Sequence, residues 1–244
     1  LIRTLRGLTR TFGRFDTDDY NEADTELRFA SNPSLILSEF FYWTRKLQAR
    51  FFARDFASAV ESSRKAQPLL WPAASQVETG DFRFYAALAH AAAWHLASSE
   101  ERQKLFATLQ DHHRQLEIWA LHCPANFETR NALVSAEIAR IEGRMLDAEH
   151  FYEAAIRSAQ DSGLTHCEAV ANECAAQFYS TRGLAKIAHV YLRDARDCYL
   201  RWGADAMVQQ LDELYPQIKT EKASSDTGTI LASVEQLDLA TVIR

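Results

Sequence analysis

Between Gly143 and Gly163 the chain reads GRMLDAEHFYEAAIRSAQDSG, and Ala148, Tyr152 and Ala155 fall on one helical face at spacings of four and three. The pattern returns as Gly183, Ala188, Leu192 and Ala195, shifted by about 40 residues, a period typical of helical hairpins. A weaker copy is Arg54-Asp55-Phe56 followed by Ala59 and Ala66. Alanines seven apart share a face, where a small side chain lets the backbone of an adjacent helix approach closely. They are expected as docking surfaces, with Gly143 and Gly183 at the turns between paired helices.

The remaining segments fit the same plan. Pro33 suits the first turn of a helix over 35–52, whose partner runs from 56 to 70. A second pair is predicted over 82–97 and 100–121, the latter started by Ser98 or Ser99 with Glu101 as a capping-box partner, and broken by Pro124. A third pair covers 129–142 and 146–160, and a fourth covers 167–181 and 184–202. Gly203 then ends the helix, and Asp205 is expected to cap a last short one running to Tyr215 before Pro216. No stretch alternates as a strand would. The predicted fold is all-α: a TPR-like helical-hairpin solenoid over 32–216, with about four hairpins and a short C-terminal capping helix.

Two regions are expected outside that stack. Residues 1–31 read as an irregular or helical lead-in from an upstream domain, with the acidic stretch FDTDDYNEADTE at 15–26 irregular. Residues 217–229 read as a flexible linker. In 230–244, Ile230, Val234, Leu237 and Thr241 have the near-heptad spacing of a signalling helix. The chain opens without an initiator Met and stops in mid-pattern at Arg244, so a fragment of a longer protein is expected.

Composition supports helix, because Gly and Pro number only eight and five in 244 residues. A net charge of −6 argues against nucleic acid as a partner, since long-range attraction to phosphate is missing. The longest uncharged run, Phe84 to Ser99, is too short and too polar for a bilayer span. Cys123, Cys167, Cys174 and Cys198 form no CxxC pair and read as small buried hydrophobes in a reducing cytoplasm.

Candidate chemistry is sparse. Asp16, Asp18 and Asp19 suggest a calcium loop, but Asn21 stands where that loop needs glycine and Leu27 where it needs a bidentate Glu. A solvated charge run is the favoured reading. His112-His113, His122-Cys123 and His166-Cys167 put metal-ligand types side by side, yet adjacent helical residues point about 100° apart and rarely converge on one ion. No glycines stand as G-x-G-x-x-G, no Gly precedes Lys, and no H-R-D loop occurs, so nucleotide-binding loops are missing. Phe40, Phe41, Tyr42, Trp43, Phe51 and Phe52 suit either a ligand groove or, preferably, core. Catalytic, cofactor-binding and metal residues are therefore expected to be absent.

Four phrases carry a wider likeness: LIRTLRGLT at 1–9, the run 42–71 from YWTRKLQARFF to PLLW, 111–159, and ANECAAQFYSTRGLAKIAHVYLRDARDCYLRWGADAMVQQLDELYP at 171–216. Together they resemble the helical-repeat middle region of large bacterial multi-sensor histidine kinases. In that family a Ser/Thr-kinase-like domain and an AAA-type ATPase come first, and GAF or PAS sensors and the kinase core follow. The closing LDLATVIR resembles the helix leading into a GAF domain. None of the eight histidines is followed by Glu or Asp, as a phosphoacceptor usually is.

The resemblance implies a non-catalytic interaction and coupling segment of a cytoplasmic signal-transduction protein, without a cofactor of its own. Its expected partners are other domains of the same polypeptide, and a second copy through the parent protein. The alternative is a ligand- or peptide-binding sensor, for which Trp43, Tyr85, Trp94 or Trp119 would stand exposed in a groove.

Overall fold

A computed structural model describes residues Leu1–Thr220. It contains, in order, helices α1 (Ile2–Leu5), α2 (Glu22–Ser31), α3 (Ile36–Phe52), α4 (Phe56–Ala66), α5 (Glu78–Ala93) and α6 (Ser99–His122). These continue as α7 (Pro124–Ile141), α8 (Met145–Asp161), α9 (Thr165–Thr181), α10 (Ala185–Trp202), α11 (Asp205–Leu214) and α12 (Gln217–Thr220). Short 3-10 turns lie at Pro33–Leu35, Gln67–Leu69, Trp71–Ala73 and Trp94–Leu96. No strand occurs among the described residues.

The helices pack as neighbours in sequence. α3 pairs with α4, α5 with α6, α7 with α8, and α9 with α10, while α4, α6 and α8 each also touch the helix that opens the next pair. The opening helices α3, α5, α7 and α9 touch one another in turn and form the inner layer. Ala148, Ala155, Ala188 and Ala195 are buried on α8 and α10, as are Tyr152 and Leu192. Ala59 and Ala66 are buried at the matching places of α4.

One turn design repeats through the second half. Gly143, Gly163, Gly183 and Gly203, at intervals of 20 residues, all have left-handed φ between 66° and 78°. The next N–H in each case reaches back to the last helical turn: Arg144 to the Ala139 carbonyl at 2.9 Å, Leu164 to Ala159 at 2.8 Å, Leu184 to Tyr179 at 3.0 Å, and Ala204 to Tyr199 at 3.0 Å. This satisfies a carbonyl the helix end would otherwise leave orphaned, and lets the following helix begin within two residues. The α3–α4 turn is built the same way, with the Asp55 N–H on the Arg50 carbonyl at 3.0 Å. There the left-handed position is held by Arg54, φ 59°, the one non-glycine residue with positive φ among the described residues. An L side chain in that conformation costs about 1–2 kcal/mol.

Several boundaries differ from the sequence reading. Gln67–Leu69 is a 3-10 turn, because Pro68 cannot donate to a continuing α-helix. α7 starts at Pro124 and not near 129, because proline is well suited to a first helical turn where its missing N–H goes unused. α5 starts at Glu78, four residues early, and carries Gly80 where a Cβ would come within 2.9 Å of Arg130 Nη1 and 3.0 Å of the Phe127 ring. Asp205 is the first helical residue of α11, not its cap; Ala204 occupies the cap position. The cap expected at Ser98 is present, its hydroxyl accepting from the Glu101 N–H at 3.4 Å.

The acidic N-terminal stretch is partly ordered into α2, capped by the Asn21 side chain on the Asp24 N–H at 3.1 Å. Residues 1–31 pack against the hairpins. Phe29 lies 5.4 Å from the Tyr42 ring, centroid to centroid, and α1 packs against α11. Glu22 is buried between Arg50 Nη2 at 2.6 Å and Lys46 Nζ at 2.8 Å, and accepts the Phe15 N–H at 2.7 Å. A second charged tie joins three hairpins: Asp81 of α5 takes Arg45 of α3 at 2.8 Å and Arg130 of α7 at 2.9 Å. Most of the expected linker over 217–229, and the whole signalling helix at 230–244, lie outside the described residues; 217–220 are helical.

Candidate functional site

The inner layer does not pack solidly to its centre. The end of α3 turns back toward α9 and α10, where Phe52 meets the rings of Trp202 at 5.8 Å and Tyr199 at 6.5 Å. Arg54, just beyond, reaches Glu173 on α9 with Nη1 at 3.3 Å and Gln177 with Nη2 at 3.5 Å. These partners stand 119 and 123 residues away in sequence. The first and fourth hairpins thus close around a cavity of about 250 Å³. Its apolar wall includes Phe51, Phe56, Leu88, Val170, Phe178 and Met207, drawn from α3, α4, α5, α9 and α11.

Two acid–base groups border the cavity, and they differ in how fully they are satisfied. On α7, Glu137 accepts Arg140 Nη2 at 2.5 Å and Nε at 3.1 Å, and its other oxygen accepts the Tyr152 hydroxyl at 2.5 Å. Arg140 also bonds the His95 ring and the Ala91 carbonyl. Burial opposes the charge on Arg140, but the Glu137 carboxylate outweighs it and raises the pKa. Burial, and then Arg140, shift the His95 pKa downward, in the direction that favours an accepting ring nitrogen.

The second group is looser. Glu173 accepts the Tyr199 hydroxyl at 2.8 Å, while its bond from Arg54 is longer than the roughly 2.7–2.9 Å of a strong charge-assisted contact. Burial opposes the charge on Arg54 as well; Glu173 beside it and the hydrogen-bonded Tyr215 more than compensate and raise the pKa. Cys174 is half-buried and borders the cavity. Burial, then the nearby carboxylates, push its thiol pKa well up, so it stays an unreactive thiol.

The residues singled out in the sequence fall mostly elsewhere. Phe51 and Phe52 do line the cavity, whereas Phe40, Tyr42 and Trp43 are buried in the core and Phe41 is half-buried. Of the four expected groove aromatics, Trp43 and Tyr85 are buried, Trp94 and Trp119 are half-buried, and none lines the cavity. Trp94 instead carries the Arg102 guanidinium over its ring at 4.9 Å, and Trp119 packs on Phe127 at 5.1 Å. The cavity's polar residues were missed because each looks like an ordinary helix-surface charge. The one signal was Arg54, standing where the better copies of the repeat have glycine.

The histidine pairs do not converge. Asp16 accepts the Glu22 N–H at 2.9 Å and Asp18 pairs with Arg10 at 2.9 Å. No cluster of three His, Cys, Asp or Glu suited to a metal occurs among the described residues. His113 bonds Ser135 at 2.8 Å, and His166 stacks near Trp202. His112 is fully buried against Phe82, with Nδ1 on Arg83 Nη1 at 3.2 Å and its Nε2 without a partner among the described residues. Burial, and then the nearby His90 and Arg83, lower its pKa to about 3.

A neutral buried histidine destabilises the fold under acid. As pH falls below about 6.5, the unfolded chain takes up a proton that folded His112 refuses until about pH 3. Stability is therefore expected to fall by about 2 kcal/mol between pH 7 and pH 5 from this residue alone. Urea melts at the two pH values measure it, and His112→Leu should flatten the dependence.

Among the described residues no helix is long and apolar enough to cross a membrane. No family model, curated protein or solved structure matches the chain.

Proposed function

We propose that the chain is a non-catalytic coupling segment of a cytoplasmic multi-sensor histidine kinase, built as a TPR-like stack of hairpins. In this reading it relays state between an upstream ATPase and kinase-like region and downstream sensor and kinase domains. The sequence likeness over 1–9, 42–71, 111–159 and 171–216 motivates the assignment to that family. The observation that carries the mechanism is the meeting of the two ends of the array. α1 packs on α11, and the buried Glu22–Arg50 pair fixes the N-terminal segment to α3.

Stacked hairpins contact their neighbours, so a displacement passes along them in order. Closure adds a shortcut. A shift of the incoming segment acts on α11, where the chain leaves the array, without crossing every hairpin. Deleting residues 32–216 from the parent protein is expected to uncouple the upstream nucleotide state from autophosphorylation. Unchanged coupling in that deletion would refute the reading. A second reading, a ligand-binding sensor, is favoured by the cavity between the first and fourth hairpins, though not by the four aromatics expected to line it.

A further inference from the structure

We propose that this cavity binds a small monocarboxylate with a compact apolar body, held by Arg54. The assignment deepens the sensor reading and rests on the cavity alone, independent of the domains flanking the chain.

Size limits the ligand first. A cavity of about 150 Å³ accommodates benzene, so 250 Å³ suits roughly ten to twelve non-hydrogen atoms. That fits one ring with a short chain. The Phe51, Phe56, Phe178, Leu88 and Met207 side chains supply an apolar wall for such a body.

Charge then selects the head group. Arg140 is bonded to Glu137, His95 and Ala91, and Glu137 accepts from both Arg140 and Tyr152. Arg54 is held more loosely. Its contacts to Glu173 and Gln177 are long, at 3.3 and 3.5 Å, with the Tyr215 hydroxyl as a further partner, although a guanidinium presents a planar fork that fits both oxygens of a carboxylate. Gln177 meets Arg54 through its carbonyl oxygen, which leaves its amide N–H groups as further donors on the cavity wall. Glu173 keeps a strong donor in Tyr199 at 2.8 Å when Arg54 turns to a ligand. The backbone supports the same view: Arg54 occupies a strained left-handed position that glycine fills at the corresponding turns, and strain of this kind collects at ligand sites.

The test uses the full 244-residue chain and three probes of one shape: 4-phenylbutanoate, 4-phenylbutan-1-ol and 4-phenylbutylamine, titrated calorimetrically at pH 7.5. The carboxylate is expected to bind at least tenfold tighter than the alcohol or the amine. Arg54→Gly, which suits the left-handed backbone, should keep the fold and erase that preference. Equal binding of acid and alcohol in the unmodified chain would overturn the proposal, and so would no binding of the acid at millimolar concentration. Tighter binding of the amine would make Glu173 the anchor and overturn it too, as would a carboxylate preference surviving in Arg54→Gly. The coupling reading fails separately, on the deletion experiment in the parent protein.

Discussion

Glu22→Ala is expected to lower the unfolding free energy by about 3–5 kcal/mol, the range for stripping one partner from a buried ion pair. The side chains of Glu22 and Arg50 are only 7% and 5% exposed, so water cannot take over the pairing. Arg50 would retain the Gly13 carbonyl as acceptor but no carboxylate, while Lys46 would still have Glu26. The Phe15 N–H would lose its acceptor as well. Replacing both charges, as Glu22→Leu with Arg50→Met, should cost much less than Glu22→Ala, because no uncompensated charge then remains. Urea unfolding followed by circular dichroism measures all of these. A loss under 1 kcal/mol for Glu22→Ala would mean that the N-terminal segment is not fixed to α3 in solution.

Ala148→Leu with Ala155→Leu is expected to cost about 2–6 kcal/mol, twice the range for overfilling a single packed site. Both alanines are completely buried where α8 meets α7 and α9. Three extra carbons at each place would force the helices apart or the leucines off their rotamers. Leu146 on the same helix is 78% exposed, and Leu146→Ala should stay within about 0.5 kcal/mol. The contrast inverts the usual rule that leucine is core and alanine is surface. Equal effects of the two changes would remove alanine docking as the reason for the repeat.

That inversion was legible in the chain, because periodicity reports on local geometry. The alanine spacing identifies the buried face of α8 and α10, and glycine at a constant interval of 20 residues marks turn after turn. Pro124 and the acidic run were less legible. Proline both stops a helix and begins one, and α2 depends on the Asn21 cap and on the Glu22 network more than on an apolar stripe. Closure could not be read at all. Arg54 and Glu173 lie on separate helical units, each with a pattern that is complete by itself, and nothing in either stretch encodes the other. The cavity shares this property, since Phe51 and Phe178 have the spacing of core residues whether they face a neighbour or a void.

The account turns on the first hairpin being joined to the fourth. A double-mutant cycle between Arg54→Gly and Glu173→Gln, measured by urea unfolding, tests this most directly, because single-site effects such as relief of backbone strain cancel in the cycle. A coupling energy of about 0.5–3 kcal/mol is predicted for residues in contact. Strictly additive single changes would contradict that tie, and would leave the Phe52 contacts with Tyr199 and Trp202 to hold the two hairpins together.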